Sequence, residues 1–300
     1  MKEVVKLSPA VKSYIWGGSY FQKFNKGNGE DIISELWELS VRDDSSLIAS
    51  GENKGKYLKD IISKEDLGPN CDKFPYFPLL IKLIDAKDNL SVQVHPSDEY
   101  ALKNENSFGK TEMWYILSTD EGAGLYIGLN KDYSQNEIKE KLENGTLLEA
   151  LNFYPVKPGD AYLIKSGTIH AIGKGVRIME IQQNSDLTYR LYDYGRVDKD
   201  GKPRELHIEK ALKVIDYKKY QNEEPKGSLI FDTKYFKVER KEVNGSLKIS
   251  ANRGSFVSFT FISGSGKVND IDYKIYDTFF LPNGKECEIK GDGVLILSRI

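Results

Sequence analysis

Histidine is nearly absent from this chain: the 300 residues hold three, His95, His170 and His207. Any chemistry that needs imidazole must draw on that short set. Cysteine is rarer still, with only Cys71 and Cys287. They are too few and too far apart for a disulfide framework or a cysteine-ligated metal site, so two reduced, partly buried thiols are expected. No apolar run approaches the roughly eighteen residues of a membrane-spanning helix, and Met1-Lys2-Glu3-Val4-Val5 opens no signal-peptide stretch. An excess of one charge is lacking too. Lys+Arg total 43 against 45 Asp+Glu, leaving −2, with no bulk attraction to nucleic acid or an anionic membrane. The expectation is a cytoplasmic protein without nucleic-acid or membrane partners. Arginine is sparse, at eight residues, yet Arg190, Arg196 and Arg204 fall close together.

What the chain does have is short strands. Leu79–Ile84, Ser91–His95, Glu112–Leu117, Ala161–Ile164, Val176–Gln182, Ser255–Ile262 and Thr278–Leu281 are rich in β-branched or aromatic residues. Gly, Pro, Asn or Asp bounds each of them. Turn punctuation is frequent, as at Pro158-Gly159-Asp160 and Gly291-Asp292-Gly293, which favours a β-sandwich or barrel over β-α-β units. Helices are few. Ser134-Gln135-Asn136-Glu137 has capping-box form, Thr146–Glu149 repeats that signal, and Ile208, Ala211, Leu212 and Ile215 make an apolar stripe between Arg204 and Tyr217. Polar residues 218–227 read as a linker. We therefore expect two units: 1–222, and a smaller, histidine-free β unit at 223–300, with a soft boundary because N-terminal strands are available to complete its sheet.

Three segments carry candidate chemistry. In a strand, alternate side chains share a face, so Ser91, Gln93 and His95 point one way and Val92 and Val94 the other. Lys110, Glu112 and Trp114 repeat this geometry. A carboxylate and an ammonium at neighbouring inward positions are costly unless paired, metal-bound or functional. The third segment runs from the Pro158-Gly159-Asp160 turn to His170. Imidazole and carboxylate are good zinc ligands, whereas glutamine is an unusual one. Taken singly, His95 reads as a hydrogen-bonded surface residue, Glu112 as the partner of Lys110, and His170 as a turn cap. Together they form a candidate metal site.

These segments resemble type I phosphomannose isomerase, a zinc enzyme family of the cupin superfamily, and the resemblance spans most of the chain. Ile15-Trp16-Gly17-Gly18 looks like the family's Trp-Gly-Gly motif, and Ser34–Ser40 is similar to its Gly-Glu-x-Trp segment, with Ser34 in place of the usual Gly. Leu90–Pro96, Gly109–Tyr115, Gln183–Arg196 and Arg204–Leu212 follow the family's signatures closely. The resemblance implies a mainly β fold of two cupin-type jelly-roll domains with a small helical insertion, in the short bacterial form. It implies one Zn2+ per chain on Gln93, His95, Glu112 and His170, which accounts for the glutamine. It also implies Arg190 as the catalytic arginine, and Ser91 and Lys110 lining a sugar-phosphate pocket.

The activity so implied interconverts mannose 6-phosphate and fructose 6-phosphate through a cis-enediolate. Arg190 would oppose the developing oxyanion, and Lys110 would hold phosphate or share in proton handling. His207, at the head of the Arg204–Tyr217 segment, reads as scaffold. Two alternatives stand beside this reading: a non-catalytic cupin that binds sugar phosphate, and an iron-dependent cupin isomerase or oxygenase. The second class favours His-rich facial ligand sets. The chain is expected as a monomer or homodimer.

Overall fold

The computed structural model describes residues 1–300 except Asn28, Asp198, Lys199 and Arg253. The described chain is mainly β, in three antiparallel sheets. The first has the order Ala161–Ile164, Glu112–Thr119, Val176–Gln183, Leu79–Ala86, Glu35–Leu39 and Ala10–Lys12. The second runs Tyr189–Tyr192, Val92–Val94, His170–Ile172, Gly124–Leu129 and Leu151–Pro155. These two sheets face each other as a jelly-roll sandwich of cupin type.

Period-two alternation decides what each face does. In the first sheet Met113, Tyr115, Met179, Ile181 and Leu83 turn outward into an apolar cluster shared with Ile230, Phe236, Phe256 and Ile296 of the C-terminal unit. Trp114, Ile116, Ile178 and Ile84 turn inward to meet Leu125, Ile127 and Ile172 of the second sheet. The outer face of the second sheet, with Val92, Val94, Ala171, Tyr189 and Leu191, packs on Ile138, Leu147, Ala211 and Leu212 from the helical segments. Arg190 and Gln93, between those residues in sequence, therefore face inward.

The third sheet has the order Leu229–Asp232, Lys237–Ser250, Glu286–Arg299, Val257–Val268, Thr278–Leu281, Val5–Ser8 and Leu47–Ile48, and Ile271–Lys274 pairs with the Val257–Val268 strand. Val5 pairs with Phe280, so N-terminal residues close an edge of the C-terminal sheet. Gly264 pairs with Gly293 and Gly266 with Gly291. A Cβ at any of the four would come within 1.8–2.4 Å of the opposite backbone, so the approach there admits only glycine.

The helix Gln135–Glu143 carries the capping box expected at Ser134 and Glu137. Ser97 caps Asp98–Asn104 by accepting from the Tyr100 N–H. The Thr146 signal yields a 3-10 turn, Leu147–Ala150, without a side-chain cap. The Arg204–Tyr217 stripe is helical only over Ile208–Leu212. The Ile215 N–H still donates to Ala211 O at 3.1 Å, but beyond it the backbone is taken by other partners: the Asp216 N–H donates to Gly167 O at 2.8 Å, and Tyr217 O accepts from Tyr133 N at 3.0 Å. Ile215, at the end of that last turn, keeps its place in the apolar cluster. No helix among the described residues is long and apolar enough to cross a membrane.

Candidate metal centre

Sheet register assembles the site. On the second sheet His170 pairs with Gln93, and Arg190 pairs with Gln93 from the other side, so the three stand in a row. His95 follows at the strand end, one face-repeat along. On the first sheet Glu112 opens the strand Glu112–Thr119, beside Gln182. Across the sandwich His95, Glu112 and His170 converge, with potential ligand atoms all within 4.8 Å of one another. All three are buried.

Their hydrogen bonds set how they meet. His95 Nδ1 lies 2.9 Å from Leu187 O and His170 Nδ1 2.9 Å from Thr168 O. A carbonyl accepts only, so each Nδ1 is the protonated nitrogen of a neutral ring and each Nε2 carries its lone pair inward. Burial holds both imidazoles below their usual range, His95 well below it and His170 at about 4, with Lys110 adding to the effect on each. Glu112 stands 3.6 Å from His95 Nε2 and 3.5 Å from His170 Nε2. Neither carboxylate oxygen has a hydrogen-bond partner. Lys110 Nζ forms an ion pair with Oε2 at 2.7 Å. Burial, then the neighbouring Glu180, push Glu112 above the usual carboxylate range.

Two inward lone pairs and a buried carboxylate gather here with the single ammonium of Lys110 beside them, 2.7 Å from Glu112 Oε2 and 3.3 Å from His95 Nε2. The donor set therefore fits a divalent ion, and the backbone carbonyls behind each imidazole are the usual outer support for one. Gln93 turns its Nε2 to His170 Nε2 at 3.3 Å and its Oε1 to Ser91 Oγ at 3.4 Å. Metal ligation needs the opposite amide orientation, a half-turn that brings Oε1 inward.

A line of buried ions leads away from Glu112. Lys110 is 3.7 Å from Glu180, Glu180 is 3.3 Å from Lys82, and Lys82 is 3.5 Å from Glu35. Trp114 Nε1 donates to Glu180 at 3.0 Å and Trp37 Nε1 to Glu35 at 2.6 Å. Burial alone would raise Glu180, but Lys110 and Lys82 outweigh it and hold its carboxyl below the usual range. For Lys82 burial pushes downward, and the carboxylates of Glu35 and Glu180 overcome it and raise the ammonium. Two lysines thus stand against three glutamates, a local deficit of one positive charge before any metal ion binds.

Above this floor lies a cavity of about 370 Å³, whose lining includes Ser91, Gln93, Lys110, Glu180, Arg190 and Arg204. Arg190 Nε donates to Ser91 Oγ at 3.2 Å and Nη1 to Glu205 O at 2.8 Å, which fixes the guanidinium plane over the cavity. Asp193, gripped by Arg196 and Arg204, anchors the arginine cluster. His207 stands apart: its Nδ1 accepts from the Arg190 N–H at 3.3 Å, and its own N–H donates to Arg190 O at 2.8 Å.

Sequence reasoning brought Ser91, Gln93, His95, Lys110, Glu112, His170 and Arg190 to this place and missed Glu180, Lys82 and Glu35. Each missed residue is a charge within a largely buried strand, most plainly Lys82 in Leu79-Leu80-Ile81-Lys82-Leu83-Ile84. That pattern was the available signal, since such a charge must find a partner.

Fold and cluster together define a cupin whose buried two-histidine, one-carboxylate set is able to take a metal ion. A family model described as phosphomannose isomerase type I, catalytic domain, matches residues 4–123. The mannose-6-phosphate isomerase of Streptococcus mutans is 34% identical over 315 residues, covering all of this chain and 99% of that protein. The crystal structure of the mannose 6-phosphate isomerase from Bacillus subtilis matches with a TM-score of 0.91 and 34% identity over the whole of both chains. A more distant mannose 6-phosphate isomerase, solved bound with zinc and yttrium, shares the fold at 16% identity, with a TM-score of 0.77 over 98% of each chain. The chain belongs to the type I phosphomannose isomerase family and is an aldose–ketose isomerase.

Proposed function

We propose that this enzyme interconverts mannose 6-phosphate and fructose 6-phosphate through a cis-enediolate, with one zinc ion on Gln93, His95, Glu112 and His170. The observation that carries the reading is the convergence of the buried Glu112 carboxylate with the Nε2 atoms of two neutral imidazoles, at 3.6 and 3.5 Å. Zinc suits this N/O donor set, and a fold relative was solved bound with zinc. Bound there, the ion supplies Lewis-acid polarisation of the sugar's C1 and C2 oxygens.

This chain's residues do the rest. Arg190, braced by Ser91 and the Glu205 carbonyl, presents a fixed positive fork to the oxyanion that develops as the proton leaves C2. Ser91 and Arg190 orient the sugar phosphate, and Lys110, at the cavity floor, moves a proton between substrate atoms. The indole rings of Trp16 and Trp37 wall the same cavity and restrict water. We also place the unit boundary at 222/223 and the enzyme in the cytoplasm, working as a monomer or homodimer. A coupled assay tests the substrate: purified enzyme with added zinc should form fructose 6-phosphate from mannose 6-phosphate. Binding without turnover would instead favour the sugar-phosphate sensor.

A further inference from the structure

The loop before Glu112 is held in an unusual way. Thr111 N–H donates to Gln183 Oε1 at 2.8 Å, a side chain where a strand edge would offer a carbonyl. The same amide donates through Nε2 to Asp98 Oδ1 at 3.0 Å. Asp98 Oδ1 in turn accepts from the Gly109 N–H at 2.9 Å. The peptide nitrogens on both sides of Lys110 are thus gripped by one continuous unit, Gly109–Asp98–Gln183–Thr111. Gly109 is required for it, since a Cβ there would meet Asp98 N at 2.5 Å and the Ser97 carbonyl carbon at 2.6 Å. Gln183 is buried and belongs to the strand beside Glu112.

We infer that Gln183 and Asp98 are positioning residues for Lys110: they fix its Cα so that Nζ reaches both the cavity and Glu112. This rests on the reading of Lys110 as a group that acts on substrate. Neither residue lines the cavity, so each acts only through the loop. A displacement of about 1 Å at a reacting group can lower turnover on the order of 100-fold.

The clamp can be broken and rebuilt by exchanging its polarity. Gln183→Glu keeps the acceptor for Thr111 but sets two carboxylates against each other at Asp98. Adding Asp98→Asn restores a donor to residue 183 and keeps an acceptor for Gly109. With zinc-reconstituted full-length enzyme, Gln183→Glu should lower kcat about 10- to 100-fold, leaving KM for mannose 6-phosphate and zinc content near wild type. The double variant should recover most of that loss. Full turnover in Gln183→Glu, or a double variant no better than it, overturns the inference. If Gln183→Glu does not fold, Asp98→Ala reads the same clamp, and an unchanged kcat there is equally contrary. Lys110→Met, assayed alongside, separates the premise: wild-type turnover in it would remove the role of Lys110 itself, whatever the clamp does.

Discussion

Lys110 Nζ lies 2.7 Å from Glu112 Oε2 and 3.3 Å from His95 Nε2, so its ammonium sits at the rim of the same triangle of donor atoms that faces the candidate metal position. In metal-free protein that ammonium is the nearest positive charge to a fully buried carboxylate. A divalent ion held by His95, Glu112 and His170 would supply that positive charge in its place.

Lys110→Met should therefore separate stability from turnover. Removing one partner of a buried pair costs about 3–5 kcal/mol, which for a chain of this size corresponds to a melting point lower by roughly 5–8 °C in chelator-treated protein. Zinc-loaded Lys110→Met should lose much less, so the gap between loaded and chelated melting curves widens relative to wild type. Turnover should fall about 100-fold or more, the usual scale for a proton-handling group. Differential scanning calorimetry with and without chelator checks the first part, and the coupled assay the second.

Arg190→Lys keeps the charge and loses the fork. Arg190 reaches Ser91 Oγ and the Glu205 carbonyl from two separate nitrogens of one rigid plane, a spacing that the compact ammonium of lysine on its flexible stem does not reproduce. We expect kcat to fall about 100-fold, the cost of one oxyanion donor, with zinc content unchanged. Steady-state kinetics beside metal analysis checks it.

Metal affinity should depend on pH in two stages. Glu112 has its pKa raised by burial and Glu180, so protons compete with the metal ion for it above the usual carboxylate range. His95 and His170 are depressed, so neither ring competes in the pH 5–6 window where a free imidazole, with a pKa near 6.5, would. As pH falls, the apparent zinc affinity should drop with about one proton taken up per ion lost. The slope should steepen only near pH 4, where His170 also protonates. In metal-free protein the same depression means that the unfolded imidazole binds its proton first, so the contribution of His170 to stability is lost as pH falls from about 6.5 toward 4. Calorimetric titration of zinc across pH 4–7 in non-coordinating buffer measures the slope.

Much of this site was legible because strand periodicity is a strong local constraint. Ser91, Gln93 and His95 had to share a face once Val92 and Val94 were buried on the other, and the same held for Lys110, Glu112 and Trp114. Glu180, Lys82 and Glu35 escaped because their meaning lies in register. Glu180 pairs with Lys82 and Trp114 across two strand interfaces, and nothing within any one strand announces which rows will align. The Ile208–Ile215 stripe was overread for a related reason. Its apolar spacing reflects burial against the second sheet, while partners far along the chain, Gly167 and Tyr133, decide where the helix stops. The grip of Gln183 on Thr111 is likewise invisible locally, since an amide side chain there substitutes for a strand carbonyl.

The central claim is that the His95–Glu112–His170 cluster holds a metal ion that the isomerisation needs. Its most direct test is the rate of fructose 6-phosphate formation by chelator-stripped enzyme before and after stoichiometric zinc. The account predicts negligible turnover in the stripped protein and recovery with about one zinc per chain, the expected stoichiometry of a single catalytic zinc site. Full-rate isomerisation by stripped, metal-free protein would contradict it.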